Sequence, residues 1–215
     1  TWCPSRFSRT NMKYISYLLV TMTFAGIVTG TSYAQKTKSP KARIDIIERP
    51  SENRIDILAG NKPFTSYIWP ANVYKPVLWP VFSSSGTEVT RGFPLNPKAG
   101  ERSDHIHQVG IWLNYGNVNG RDFWGTGHTG SPGPEPANGV IRHKSVDRVK
   151  GGKSEGLLVT SAGWIMPWGK EVLSEETEYH FIAKGNLRII DRITTLVAAD
   201  TTVVFKDTKE GMFGI

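Results

Sequence analysis

From Ile44 onward apolar and polar residues alternate with a period of two, the repeat of a strand that buries one face. Ile44, Ile46 and Glu48 take one side, and Asp45, Ile47 and Arg49 the other. Residues 54–58 and 64–69 follow, and Ala59-Gly60-Asn61-Lys62 between them carries the turn residues of a hairpin. The pattern resumes over 77–83 and is turned by Ser84-Ser85-Gly86-Thr87. In the second half, 140–150, 157–166, 172–183, 187–197 and 201–206 read as five successive strands. Gly151-Gly152-Lys153-Ser154, Pro167-Trp168-Gly169-Lys170 and Lys184-Gly185-Asn186 supply tight turns among them. β-Branched and aromatic side chains dominate the runs, as a pleated, half-buried surface favours. No stretch sustains a 3.6-residue period. Successive strands joined by tight turns form an antiparallel meander. The pattern therefore predicts one all-β domain over 44–215, an antiparallel β-sandwich or an open barrel. The sandwich, of galactose-mutarotase-like or jelly-roll-like form, is the expectation carried forward.

The chain before this pattern reads differently. Met12-Lys13 precedes a mostly apolar run over 14–28, and the small, polar residues 29–34 close it, with Ser32 and Ala34 at the −3 and −1 positions. That is the plan of a secretory signal peptide cleaved after Ala34. The run is short, and rich in Thr and Gly, for a spanning helix, which needs about 20 apolar residues. A single membrane anchor is the alternative. Residues 1–11 stand upstream of Met12 as an extension, and 35–43 form a polar linker. The expected mature protein is secreted or periplasmic and parts from the membrane on cleavage.

Charge and cysteine content narrow the classes of function. The chain has 26 basic and 19 acidic residues, a net charge of +7. The leader removes Arg6, Arg9 and Lys13 and no acid, so the mature excess falls to +4. The densest basic patch, Lys36, Lys38, Lys41 and Arg43, lies in the linker without interleaved aromatics, which argues against a nucleic-acid surface. The one cysteine, Cys3, leaves with the leader, so neither a disulfide framework nor a thiol nucleophile is expected.

Candidate chemistry gathers between the halves, in the Gly-, Pro-, Asn- and His-rich stretch 92–139. A connection of that length in a compact domain is commonly functional. In Ser103-Asp104-His105-Ile106-His107-Gln108, histidines at i and i+2 project to one side of an extended chain. Such a pair can share a divalent metal or act as acid and base, with Asp104 orienting a ring. A metal needs a third ligand, for which His143 is a candidate, on a strand face with Ile141, Ser145 and Asp147. Glu175 shares a face with Leu173, Thr177, Tyr179 and Phe181. It is the other candidate for the third ligand, and either points into a cavity, where a carboxylate needs a cation or a metal, or is left by strand twist at the solvated rim. The competing reading is a polar loop whose histidines bond backbone carbonyls.

Trp112, Asn117, Asp122 and Trp124 mix aromatic faces with amides and carboxylates, the combination that binds sugars. Asp207, Lys209 and Glu210 crowd charge into five residues and can serve a site as carboxylate and ammonium. No Gly-x-Ser-x-Gly elbow, phosphate loop or dinucleotide fingerprint occurs, which removes serine hydrolases, NTPases and dehydrogenases.

Read in order, several runs resemble one bacterial family. They are Asp104-His105-Ile106-His107-Gln108, Gly110-Ile111-Trp112, Gly116-Asn117-Val118-Asn119-Gly120, Asp122-Phe123-Trp124, Gly139-Val140-Ile141-Arg142-His143 and the stretch from Asp207 to Gly214. The family is labelled methane oxygenase PmoA and carries Asp-His-Pro-His-His/Gln-Arg-Gly-Leu-Trp. The resemblance covers residues 45–215. It implies site roles for Asp104, His105, His107, His143, Glu175, Asp207, Lys209 and Glu210. It also implies an exported protein of carbohydrate metabolism, since members stand beside sugar-oxidising and sugar-cleaving proteins. It implies no methane chemistry. Particulate methane monooxygenase subunits of that name cross the membrane several times, and no apolar run after residue 34 is long enough to span.

Ile106 stands where the family has Pro and Val109 where it has Arg, so any anion-binding role of that Arg is missing. The family also continues past its Phe-Gly motif, so this chain is expected to lack its last strands and to expose an unpaired sheet edge.

The functional expectation is a carbohydrate-active enzyme, a hydrolase, lyase or epimerase, working on a sugar or a related polyhydroxylated small molecule. His105, His107, Glu175, Lys209 and Glu210 would be catalytic, with a divalent metal on His105, His107 and His143. Asp104, Trp112, Asn117, Asp122, Trp124 and Asp207 would bind the substrate. A non-catalytic glycan-binding module and a structural cell-envelope protein are the alternatives.

Overall fold

A computed structural model of the chain describes residues 42–125 and 138–215. The expected leader and nearly all of the linker lie outside the described residues. Two four-stranded antiparallel sheets organise the rest. The first runs in chain order through β1 (Ile44–Arg49), β2 (Arg54–Ala59), β3 (Lys62–Ile68) and β4 (Val77–Leu78). β2 turns into β3 through Gly60-Asn61, both at positive φ, which matches the twist of a two-residue hairpin. In the long connection that follows, the described residues form one strand, β5 (Trp112–Leu113). The second sheet is again sequential: β6 (Val140–Lys150), β7 (Glu155–Ile165), β8 (Glu171–Lys184) and β9 (Leu187–Ala198). β10 (Phe213–Gly214) then returns to pair with β5.

The alternation read from the sequence is what joins the sheets. Along β8 every odd-numbered residue from Leu173 to Ala183 is buried, while Ser174 and Glu176 face solvent. Ile55, Ile57, Phe64 and Tyr67 of the first sheet share one buried cluster with Leu158, Tyr179 and Phe181 of the second. This is the packing of a β-sandwich. A second cluster gathers Phe123, Ile141, Trp164 and Leu173. A third joins Val73, Val77, Val109, Trp112 and Trp124 from the long connection. All described residues fall within one compact unit, Lys38–Ile215. Among them, no helix is long and apolar enough to cross a membrane.

Two expected strands are not formed as read. Over 77–83 only Val77–Leu78 pairs as a strand, and Phe82 adds a single bridge to Glu88. Pro80 lacks the N–H that would continue the ladder. The expected strand 201–206 is irregular, so the meander has four strands where five were expected. Its main chain is used by the long connection instead: Asn119 N–H donates to the Val204 carbonyl at 2.9 Å, and Lys206 N–H to that of Asn117 at 3.1 Å.

The margins of the second sheet differ from each other. β6 shifts register twice against β7 and carries Arg142, Lys144, Arg148 and Lys150. β9 runs beside β8 without a shift, and Leu187, Ile189, Ile193 and Val197 are exposed on its outer face.

Candidate functional site

Three stretches distant in sequence close a polar hollow of about 520 Å3. The first brings His105 and His107, the second Asp122 and Trp124, and the third Lys209 and Glu210. The β5–β10 ladder assembles them. Pairing Gly214 with Trp112 and Phe213 with Leu113 draws the preceding residues, Thr208 to Glu210, across Gly116. Two close approaches involve glycine, and the one at Gly214 requires it. A Cβ on Gly214 would lie 2.2 Å from the Trp112 ring, and one on Gly116 would lie 3.1 Å from Thr208 Oγ1.

The histidine segment has no regular structure. His105 takes a left-handed conformation, φ 50°, a strained choice for a side chain of that kind and one often found at functional positions. Gln108 N–H closes the turn on the His105 carbonyl at 2.9 Å. The two rings meet edge to face with centroids 5.7 Å apart. His105 is open to solvent, 56% exposed, and its Nδ1 lies 3.1 Å from Asp104 Oδ2. Arg102 Nη2 lies 3.0 Å from the same oxygen. Partial desolvation raises the Asp104 carboxyl, but the His105 hydrogen bond and the charge of Arg102 outweigh it and hold the group below its ordinary range.

His107 is half-buried. Burial first, then the positive charges of Lys75 and His105, hold its imidazole below the ordinary value. A ring kept neutral near pH 7 can accept a proton. Beneath the segment lies Lys75, which is 3% exposed. Its ammonium donates to the His107 carbonyl at 2.5 Å and sits 4.9 Å from the centre of the Trp112 ring. Burial lowers the Lys75 amine to about 7, against the opposing charge of Asp122. Asp122 itself caps a turn, its Oδ1 accepting from Trp124 N–H at 2.7 Å and Gly125 N–H at 3.1 Å.

Other expected site residues lie elsewhere. His143 does not line the hollow. Its Nδ1 is 3.0 Å from the Tyr67 hydroxyl, and its ring lies 4.0 Å from that of Trp69. Glu175 is 6% exposed inside the second sheet's inner face. The cation it needs there is Arg192, at 2.7 Å, and Trp164 Nε1 and Thr177 Oγ1 each donate to it at 2.8 Å. Trp112 is buried structure under the hollow, touching Trp124 at 5.6 Å between ring centres. Asn117 accepts from Gly120 N–H at 2.9 Å and shapes a turn, and Asp207 stands exposed outside the hollow. Val109, where the resembling family has Arg, is buried core.

The grouping His105, His107 and His143 is therefore not gathered. Among the described residues, no three His, Cys, Asp or Glu side chains stand where one ion could be shared. Sequence reasoning passed over Lys75 and Gln108. A lone lysine in the apolar run Val73-Tyr74-Lys75-Pro76-Val77 was the available signal.

The fold and site define an all-β sandwich whose long connections build a polar, histidine-bearing hollow beside the sheets' cores. Residues 54–215 match a family of unknown function, DUF6807, and the chain belongs to it. No curated protein and no solved structure matches the chain.

Proposed function

We propose that the hollow binds a sugar or a related polyhydroxylated molecule and that His105 and His107 transfer protons on it, making the chain an exported carbohydrate-active enzyme. One observation carries the reading: residues about a hundred positions apart, His105 and His107 on one side and Lys209 and Glu210 on the other, meet around one cavity with Trp124 in its wall. Its volume falls within the roughly 300–1,000 Å3 usual for small-molecule sites. An aromatic wall stacks on sugar C–H surfaces, and carboxylates and amides bond hydroxyls. His107, held neutral, is the base; His105, open to solvent and hydrogen-bonded to Asp104, can exchange protons with water. Lys209 and Glu210 reach the same space and would hold the ligand's polar groups. The PmoA-labelled resemblance supports the same reading through its sugar-linked members, as does the export signal read in the leader.

The test is a panel of neutral and acidic mono- and disaccharides, followed by saturation-transfer NMR for binding and mass spectrometry for product. At least one saccharide is expected to bind and turn over. His105→Ala and His107→Ala should each abolish turnover while leaving binding, and Trp124→Ala should weaken binding. Turnover surviving in the double histidine variant, or no saccharide bound at all, overturns the proposal. Binding without turnover in the unaltered chain establishes the glycan-binding module instead.

A further inference from the structure

The histidine segment lacks secondary structure, so what fixes its imidazoles must come from outside it. Three of its carbonyls are taken by two cations. Arg91 Nη2 donates to the Asp104 carbonyl at 2.8 Å and to the His105 carbonyl at 2.7 Å. Lys75 Nζ donates to the His107 carbonyl at 2.5 Å from the opposite, buried side. We infer that Arg91 and Lys75 are positioning residues, a two-cation clamp on the backbone that sets where His105 and His107 point into the hollow. This rests on the reading that those histidines do the chemistry there.

Each cation is itself held. Arg91 Nε donates to the Phe93 carbonyl at 3.1 Å, and its guanidinium lies 5.2 Å from the Phe93 ring. Lys75 stands in sequence between Val73 and Val77, which are buried in one cluster with Trp112, and its ammonium lies over the Trp112 ring. Among the described residues, no carboxylate comes within ion-pair distance of Lys75. An ammonium buried with a carbonyl and a ring face as partners costs stability that an apolar side chain would not. Its geometry is accounted for by the segment it grips. The left-handed turn at His105 is also accounted for, because a strained conformation persists only where its surroundings over-determine it.

The test needs no ligand. Amide hydrogen exchange over 104–108 and diethyl pyrocarbonate labelling at pH 6, where Lys75 carries its charge, resolved by histidine, are read in the folded chain, with His143 and His180 as internal references. A hydrogen bond to a charged group corresponds to about a tenfold or larger change in local opening. Lys75→Met is therefore expected to speed exchange over 104–108 and labelling of His107 by about that factor. His143 and His180 should keep their rates.

Arg91→Met, at a less buried site, should loosen the same segment, and Arg91→Lys should restore part of the protection. Wild-type exchange over 104–108 in folded Arg91→Met overturns the clamp, as does a uniform rise at all histidines in either variant. If Lys75→Met does not fold, the Arg91 pair of variants decides. Failure of the saccharide panel would leave this readout unchanged, so the two readings fail separately.

Discussion

Arg192→Met would leave the Glu175 carboxylate buried without its cation. In the wild type, Arg192 and Glu175 are 2.7 Å apart, with side-chain exposures of 11% and 6%, so water screens the pair little. Removing one member of such a pair costs about 3–5 kcal/mol, chiefly the desolvated charge left behind. At roughly 2–4 °C per kcal/mol for a unit of this size, the melting temperature should fall by about 6–20 °C. The companion variant Glu175→Gln/Arg192→Met removes both charges. Its amide oxygen still accepts from Trp164 Nε1, and its NH2 can donate to Thr177 Oγ1. The double variant should therefore be more stable than Arg192→Met alone, by about 1–3 kcal/mol, the usual cost of a stranded polar group. Thermal and urea denaturation followed by circular dichroism measure four chains: the wild type, Arg192→Met, Glu175→Gln and the double variant. A double variant as weak as the sum of the two single changes would refute the argument that the loss comes from an unpaired charge.

Two further outcomes follow from the same geometry. Gly214→Ala places a methyl group against the buried Trp112 ring, and overpacking of this kind costs about 1–3 kcal/mol. Amide exchange over 207–214 should rise as β10 leaves β5, and unchanged protection there would contradict the assembly described for the hollow. His180 is raised above its ordinary pKa by the Glu155 hydrogen bond, against partial burial and with help from Glu178. A raised histidine contributes fully below about pH 6.5 and loses its contribution as pH climbs through the folded value. His180→Gln should thus cost less than about 1 kcal/mol at pH 5.5 and nothing at pH 9, read by thermal melts. Equal deficits at both pH values would contradict it.

The strands were legible because successive side chains fall on opposite faces, one more covered than the other, which imposes a period of two; in β9 that period alternates half-buried with exposed positions and leaves Leu187, Ile189, Ile193 and Val197 outside. Residues 140–150 and 187–197 were read to within a residue of β6 and β9. The run 201–206 was misread for the same reason. It alternates like a strand, yet its hydrogen bonds go to the loop around Asn117 and Asn119, a tertiary choice that no local pattern encodes. β5 and β10 escaped notice because two-residue strands have no period. Within the site, His105, His107, Lys209 and Glu210 could be picked out by chemistry. Lys75 could not, because its role depends on which carbonyl lies above it. An inward Glu175 was expected to need a cation or a metal, and the sequence held no sign that Arg192, which lies opposite Tyr179 on the neighbouring strand, would reach diagonally back to it.

β9 offers twelve consecutive residues of straight main chain, and among the described residues no strand lies along its far side. β6 is kinked and cationic, and repels such a neighbour. A sheet with two adhesive margins can add copies without end, whereas one with a single adhesive margin is used up by the first arrival. Among the described residues, then, the rim along β9 is the side of this sheet whose main chain suits a further ribbon, and the rim along β6 is the side that does not.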